Sequence, residues 1–187
     1  MNRKISKMGG LILVVGPSGS GKDTLIDGAK ELLSNEKFTF IKREITRPVT
    51  AGGEDHISIS KEKFDKKVKA EQYALHWQAN GHCYGISKEL NQHIAMGRTA
   101  VLNGSRAAIS TTREFYPDLQ IIQITVPIEI LRNRLNNRRR ETEQEIESRL
   151  SRATEWKLEG EGLHHFLNDQ PIDFSIKSFV SLLNRIS

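Results

Sequence analysis

The 187-residue sequence predicts an α/β fold built on a doubly wound parallel sheet. Three observations support this prediction. Leu11–Val15 is a continuous apolar run, as expected for a parallel strand that is buried on both faces. A glycine-rich loop follows this run directly, and the residues after the loop are apolar at helical spacing. Strand patterns then alternate with helix patterns along the rest of the chain, which favours a parallel sheet.

Local signals place the remaining elements. The Asn80-Gly81 pair predicts a hairpin turn, and Thr142 with Glu145 forms the capping box of a helix. The expected elements after the glycine loop are a helix, a strand at Phe38–Ile45, a helix at 61–70 capped by Ser60, hairpin strands at Tyr73–Gln78 and Tyr84–Ile86, a helix from Ser87 toward Met96, strands at Ala100–Leu102 and Gln120–Val126, helices at 127–138 and 142–156, and a closing helix at Ile172–Ile186.

Composition narrows the class of partner. The net charge of +5 indicates an anionic partner, either a nucleic acid or a small polyanion. Aromatic residues are only 6% of the chain and do not alternate with basic ones, so we expect no nucleic-acid stacking surface. No apolar run is long enough to cross a membrane. The single cysteine, Cys83, cannot form an internal disulfide, which fits the cytoplasm. The basic and then apolar N-terminus is interpreted as a first strand because its apolar run is short and enters the glycine loop.

The glycine loop predicts a phosphate-binding site. Its residues are Gly16, Pro17, Ser18, Gly19, Ser20, Gly21, Lys22 and Asp23, and they match the pattern G-x-x-x-x-G-K-[ST] except at the last position. Between a buried strand and a helix, such a loop directs backbone N–H groups at phosphates, and the lysine reaches the β- and γ-phosphates. We therefore expect a P-loop NTPase-type fold that binds ATP.

Asp23 stands where a hydroxyl normally contacts Mg²⁺. A carboxylate is also a hard oxygen ligand, so Asp23 can hold the cation or a water bound to it. In the other interpretation the negative charge of Asp23 only stabilises the helix by its interaction with the positive end of the helix dipole, and Thr24 supplies the hydroxyl. The sequence leaves the choice between these two residues open.

Beyond the loop, nearly the whole chain resembles the guanylate kinases. The segments that carry the resemblance are EITRPVTAGGEDH, NGHCYGIS, LRNRLNNRRRETEQEIESRL and FLND. The resemblance implies a single domain with a small acceptor-binding insertion at about 38–97 and a helical lid at about 134–150. It also implies that Tyr84 binds the acceptor phosphate, that Arg134, Arg138 and Arg149 close on the ATP phosphates, and that Asn168 lies beside adenine.

Two departures from the family bear on the acceptor. Guanylate kinases recognise guanine with acidic residues, which accept hydrogen bonds from its N1–H and exocyclic amine. Gln78 and Asn103 stand at the corresponding positions here. Together with the aspartate in the loop, this resembles a narrower group of the family, whose members use ATP to convert ribose 1,5-bisphosphate to 5-phosphoribosyl 1-diphosphate in bacterial phosphonate utilisation.

The residue chemistry agrees with a phosphate acceptor. A phosphate monoester is mostly dianionic at neutral pH, so it needs charge neutralisation and alignment rather than a base. Lys22 on one side and Arg43 and Arg47 on the other can supply this. The candidate readers of the sugar and of its second phosphate are Glu54, Asp55, His56, Asn103, Ser105 and Arg106. We favour Arg106 for the distant phosphate because it follows a core strand, although it could instead begin a surface helix.

Two other functions stay open at this stage. The first is a nucleoside monophosphate kinase with altered base preference, since the amides of Gln78 and Asn103 can also contact a purine. The second is a non-catalytic guanylate-kinase-like module, but such a module could dispense with the loop lysine and the lid arginines. The six histidines show no metal-binding spacing, and we expect Mg²⁺ as the only metal.

Overall fold

The computed structural model describes residues 9–48, 55–138, 142–154 and 158–187. Its strands are β1 (Leu11–Val15), β2 (Phe38–Ile41), β3 (Glu44–Ile45), β4 (Ile57–Ser58), β5 (Tyr73–Ala79), β6 (His82–Ser87), β7 (Thr99–Asn103), β8 (Gln120–Thr125) and β9 (Leu163–Leu167). Its helices are α1 (Lys22–Leu32), α2 (Lys61–Lys69), α3 (Glu89–Ala95), α4 (Ile109–Phe115), α5 (Ile128–Arg138), α6 (Glu143–Thr154) and α7 (Ile172–Ile186). In this part of the chain, no helix is both long and apolar enough to span a bilayer.

A five-stranded parallel sheet forms the centre of the molecule. Its strand order is β2-β7-β1-β8-β9, so β1 lies between β7 and β8. Successive residues of a strand point to opposite faces, and β1 is buried on both. Leu11, Leu13 and Val15 pack toward the small sheet and α3, whereas Ile12 and Val14 pack toward α1 and α7. The predicted doubly wound α/β fold is confirmed.

A second sheet, with strand order β4-β3-β6-β5, lies beside the first. The hairpin of β5 and β6 turns at Asn80 and Gly81, whose φ angles of 49° and 76° are those of the left-handed turn predicted for this pair. Trp77 and Tyr84 are opposite each other on one face of the hairpin, and their rings stack at 5.3 Å. The hairpin therefore presents a rigid aromatic pair to the main body of the protein.

The structure confirms most predicted elements and corrects one. The single strand expected at 38–45 is two strands, because the chain leaves the edge of the main sheet after Ile41 and joins the small sheet at Glu44. The charged Lys42-Arg43 pair lies at the crossover. Three elements were not predicted. They are the two-residue strand β4, the helix α4 and the edge strand β9, in which only Phe166 is buried. The capping box holds, with Thr142 N–H donating to Glu145 at 2.8 Å.

A buried carboxylate fastens α2 to the small sheet. Glu44 accepts hydrogen bonds at 2.5 Å from both the Tyr73 hydroxyl and the Lys67 ammonium group. Glu44 is 8% exposed, so these bonds replace most of its contact with water. Burial and the neighbouring Glu44 carboxylate raise the pKa of Tyr73. Glu44 adjoins Arg43 in the chain, so this network also anchors the segment that carries the candidate acceptor-binding arginines.

Tyr73→Phe is expected to lower the free energy of unfolding by about 2 kcal/mol, because it removes a hydrogen bond to a charged, buried acceptor. Urea unfolding at pH 7.5 measures this. The control is Tyr116→Phe, which removes a bond to the exposed Asn91 and should cost about 0.5 kcal/mol. Since the pKa of Tyr73 is raised in the folded state, its contribution is complete below about pH 10 and decreases above it. An equal loss in both variants would contradict the account.

Candidate active site

The glycine loop lies at the carboxyl end of β1, between its neighbours β7 and β8. Strand order reverses at this position, which is where open α/β sheets bind ligands. Gly19 and Gly21 have φ angles of 91° and 88°, a conformation that side chains rarely adopt. The Lys22 ammonium donates to the carbonyls of Gly16 at 2.8 Å and Pro17 at 3.0 Å, so it folds back across the loop. These two hydrogen bonds hold the Lys22 side chain against its own loop.

Distant parts of the chain hold the loop from outside. Asn168, after β9, donates to the carbonyl of Ser20 at 2.7 Å. The Arg134 guanidinium, on α5, donates to the same carbonyl at 3.3 Å and to the carbonyl of Asn168 at 3.1 Å. The Ser20 hydroxyl and the Asn168 side-chain oxygen are buried and lack hydrogen-bond partners within the described residues. These polar atoms fit a site that a polar ligand completes.

Gly21→Ala is expected to weaken ATP binding by roughly 10- to 100-fold, because small displacements in a positioned site have effects of that size. An added Cβ would lie 2.4 Å from the Asn168 amide nitrogen at a φ of 88°. Isothermal titration with a non-hydrolysable ATP analogue measures the affinity. Gly81→Ala is the matched control. It has a φ of 76° but meets no described atom within 4 Å, so it shares the backbone strain without the collision. Equal affinities in the two variants would contradict this role of Gly21.

Asp23 is bonded to the strand next to the loop. The side-chain amide of Asn103, at the end of β7, donates to Asp23 Oδ1 at 2.6 Å. The sequence interpretation made Asn103 a substrate reader, and the structure places its amide on the loop aspartate instead. Thr24, the other candidate for the metal, is exposed. Asp23 lines the cleft beside the loop and Thr24 does not.

The cleft lies between the start of α1 and the segment that the sequence analysis predicts to bind the acceptor. Its walls are formed by Asp23, Ile26, Asp27, Lys30, Phe40, Ile41, Lys42, Arg43, Asp55 and Asn103. The carboxyl ends of β2 and β7 and the start of α1 therefore meet around one space. Arg43 is 8% exposed, and its guanidinium lies 5.1 Å from the centre of the Tyr84 ring. The structure thus brings together Asp23, Asn103, Arg43 and Tyr84.

Asp27, Lys30 and Lys42 line this cleft but were not predicted as site residues. Asp27 lies one helical turn after Asp23, so the i, i+4 spacing was the available signal. Its pKa is raised, first by burial and then by the negative charges of Asp23 and Asp55. Lys42 pairs with Asp55 at 2.5 Å, which lowers the pKa of that carboxyl. The cleft therefore carries both signs of charge, and α1 contributes Asp23, Asp27 and Lys30 to it.

A second group surrounds Arg47. The His56 ring nitrogen Nε2 lies 3.1 Å from the carbonyl oxygen of Arg47, and His56 is buried. The neighbouring Thr46 hydroxyl accepts a bond from the Cys83 N–H at 2.8 Å, which ties this segment to β6. The Arg47 Nε atom is buried without a hydrogen-bond partner in the described part of the chain. Arg47 and His56 are thus held as one unit.

Several predicted site residues lie outside both the cleft and the group around Arg47. Gln78 is exposed and is paired with Cys83, on the opposite face of the hairpin from Tyr84. Arg106 lines a separate cavity with Ile109, Ser110, Arg113, Glu114 and Leu158. Arg149 lies on α6, one turn after Glu145. Glu54 and the side chain of Arg138 lie outside what the structure describes.

The site fits a nucleotide with a divalent cation. The glycine cradle and the unpartnered Ser20 hydroxyl suit phosphate oxygens. Residues 9–48, 55–138, 142–154 and 158–187 contain no group of three or more His, Cys, Asp or Glu arranged around a common point. Mg²⁺ usually needs only one or two carboxylates together with substrate phosphates. Asp23 is a suitable carboxylate for such a cation.

Comparison with known proteins agrees with this geometry. The guanylate kinase family model matches residues 8–185, so the chain belongs to the guanylate kinase family. The guanylate kinase of Anaplasma phagocytophilum has the same fold, with a TM-score of 0.68 over 96% of this chain and 86% of that one, at 16% identity. The predicted family resemblance is confirmed.

Two relatives narrow the comparison. The chain is 39% identical to the ribose 1,5-bisphosphate phosphokinase PhnN of Pseudomonas paraeruginosa, over 94% of this chain and 95% of that protein. It is 42% identical to the enzyme of the same name from Desulfomicrobium baculatum, over 88% of this chain and 89% of that protein. These identities are far higher than the 16% shared with the guanylate kinase.

Proposed function

We propose that the protein transfers the γ-phosphoryl group of ATP to ribose 1,5-bisphosphate, forming 5-phospho-α-D-ribose 1-diphosphate and ADP. The observation that carries this proposal is the single cleft in which Asp23, Arg43 and Asn103 meet. It joins an ATP-type phosphate loop to a cationic acceptor segment. The names of the two relatives support the choice of acceptor.

The reaction needs no general base. The bond from the γ-phosphorus to the β–γ bridging oxygen breaks, and a bond to an oxygen of the sugar 1-phosphate forms. That oxygen carries no proton in the dianion that predominates at neutral pH. ADP leaves with the bridging oxygen and its electron pair. The protein therefore contributes alignment and positive charge, which are the main requirements of phosphoryl transfer.

On the ATP side, Lys22 is the group that moves to the phosphates. Its bonds to two loop carbonyls are easily exchanged for stronger, charge-assisted bonds to phosphate oxygens. Arg134 already touches the loop at Ser20, which supports its role beside the transferred group. Asn168 supports the loop at Ser20, and in this proposal it lies beside adenine. Asp23 would hold Mg²⁺, which would supply positive charge to the phosphates.

On the acceptor side, Arg47 and Tyr84 are the proposed ligands of the phosphate that receives the group. Arg43, whose guanidinium lies 5.1 Å from the centre of the Tyr84 ring, would hold the sugar or its second phosphate. His56 fixes the backbone of Arg47. We propose Glu54, Gln78 and Arg106 as further ligands of the acceptor. Arg106 lines a separate cavity, so it would bind the second phosphate of the sugar after that cavity opens to the cleft.

The organisation of the chain follows the same proposal. Residues at about 38–97 would bind the acceptor, and those at about 134–150 would form a lid that brings Arg134, Arg138 and Arg149 to the phosphates within one domain. The lone Cys83 fits a reducing compartment, so we place the reaction in the cytoplasm, in phosphonate utilisation.

Product identification tests the proposal. The protein is mixed with ATP, Mg²⁺ and ribose 1,5-bisphosphate, and the products are followed by ³¹P NMR. We expect a new diphosphate pair on carbon 1 of the sugar and one equivalent of ADP. ADP formation at the same rate without the sugar, with no new diphosphate, would contradict the proposal.

A further inference from the structure

The hydrogen-bonded pair of Asp23 and Asn103 spans the ends of two neighbouring elements. Asp23 is the second residue of α1, and Asn103 is the last residue of β7, directly opposite Val14 of β1. The Asn103 amide donates to one oxygen of the Asp23 carboxylate at 2.6 Å. An amide can donate this bond without adding charge. The pair therefore carries one negative charge, located on the loop side.

P-loop enzymes in general arrange these two positions the other way round. A serine or threonine follows the loop lysine, and an aspartate at the end of a strand supplies the negative charge, both toward Mg²⁺. In this chain the residue after Lys22 is the acid, and the residue at the end of the adjacent strand is neutral. The number of negative charges in the pair is the same in both arrangements.

We infer that Asn103 is a positioning residue that orients Asp23. In the two residues the usual roles are exchanged: the carboxylate follows the loop lysine, and the neutral polar group stands at the end of the strand. Bonding of Asn103 to Oδ1 leaves Oδ2 of Asp23 for the cation. Asn103 then acts through Asp23 rather than by reading the acceptor. This inference rests on the ATP-dependent activity proposed above.

The direct contact between the two side chains favours a neutral residue at position 103. Asp27 also lines the cleft one helical turn from Asp23, so the loop aspartate already has one acidic neighbour on its own helix. Asn103→Asp would place a further carboxylate at hydrogen-bond distance from Asp23 with no hydrogen between the two. Asp23→Ser would remove the charge but leave a hydroxyl. The double variant Asp23→Ser with Asn103→Asp would restore one charge and one donor in the reversed order.

The test is a double-mutant cycle with two readouts. We would compare the wild type, D23S, N103D and the double variant, with Asn35→Asp as a control for one added charge at an exposed position. The first readout is the dissociation constant of Mn²⁺ in the presence of a non-hydrolysable ATP analogue, measured by electron paramagnetic resonance. The second is the urea midpoint of the metal-free proteins. Neither readout requires the acceptor.

Each single variant is expected to weaken Mn²⁺ binding at least about tenfold, since charged hydrogen-bonded pairs couple strongly. The double variant should return to within about threefold of the wild type, and Asn35→Asp should bind as the wild type does. N103D should have a lower urea midpoint than the double variant, and if N103D alone does not fold, a folded double variant that binds Mn²⁺ within about threefold of the wild type supports the inference. The inference would be overturned if the fold-loss in Mn²⁺ affinity of the double variant equalled the product of the two single losses. It would also be overturned if the double variant were no more stable than N103D.

The cycle separates this inference from the proposed function. If the wild type binds Mn²⁺ with the ATP analogue but does not phosphorylate ribose 1,5-bisphosphate, the choice of acceptor is wrong and the coupled pair still stands. If the wild type phosphorylates the sugar but the two mutations weaken Mn²⁺ binding independently, the proposed function is supported and the coupling between Asp23 and Asn103 is refuted.

Discussion

Lys22→Ala is expected to reduce phosphoryl transfer at least about 100- to 1000-fold, the effect of removing one preorganised electrostatic group from a transition state. Lys22 donates to the carbonyls of Gly16 and Pro17, so its ammonium lies against the loop that we propose as the phosphate-binding site. No other lysine lies within this loop. Coupled detection of ADP at saturating ATP and ribose 1,5-bisphosphate measures the loss in kcat.

The control for Lys22 is Lys66→Ala, which removes an exposed lysine paired with Glu62 on α2. Such a pair contributes little to stability, so kcat and the unfolding midpoint should both stay at wild-type values. The Lys22 variant should keep its unfolding midpoint as well, because the side chain is only partly buried. Unchanged turnover in the Lys22 variant would contradict the role of Lys22, whereas absence of turnover in the wild type would favour a non-catalytic binding module over an enzyme.

Arg47→Met is expected to lower kcat/KM for the acceptor about 100-fold and to leave the KM for ATP near its wild-type value. Removal of one partner from a buried, hydrogen-bonded charge pair has an effect of this order. The Nε atom of Arg47 is buried and unpartnered among the described residues, and the backbone of Arg47 is held by His56. The arginine is thus fixed in place with bonding capacity that a phosphate can use. Steady-state kinetics with each substrate varied in turn separate the two constants.

Arg185→Met is the matched control for Arg47. It removes an exposed guanidinium from the far end of α7 and tests the effect of a lost positive charge alone. Both substrates should keep their wild-type kcat/KM in this variant. Equal losses toward ATP and acceptor in Arg47→Met would mean that the arginine supports the whole fold and not the acceptor phosphate.

Signals that act within a few residues made much of the fold predictable. The apolar run of β1, the glycine loop, the Asn80-Gly81 turn and the Thr142 capping box each depend on neighbours in the chain, and the structure contains all of them. The strand expected at 38–45 was wrong as a single element, because a change of sheet at Lys42-Arg43 depends on partners far away in sequence. The edge strand β9 was missed since only one of its side chains is buried.

The site was predictable in composition but not in contacts. The loop motif identified Lys22 and Asp23 from spacing alone. Nothing in the spacing shows that Asn103 reaches Asp23 across 80 positions, or that Asn168 reaches Ser20 across 148. Asn103 was therefore interpreted by the chemistry of a free amide, as a substrate reader. Its partner on the loop emerges only when β7 pairs with β1 in parallel register.

The measurement that tests the central claim most directly is a comparison of kcat/KM for ribose 1,5-bisphosphate and GMP with the same enzyme, ATP and Mg²⁺. AMP and ribose 5-phosphate serve as further acceptors. The account predicts that the bisphosphate is preferred by at least about 100-fold, since a site whose polar groups match another acceptor rejects GMP strongly. ADP and 5-phospho-α-D-ribose 1-diphosphate should form in equal amounts. A preference for GMP would contradict the account and would mean that amides can replace the acids that recognise guanine.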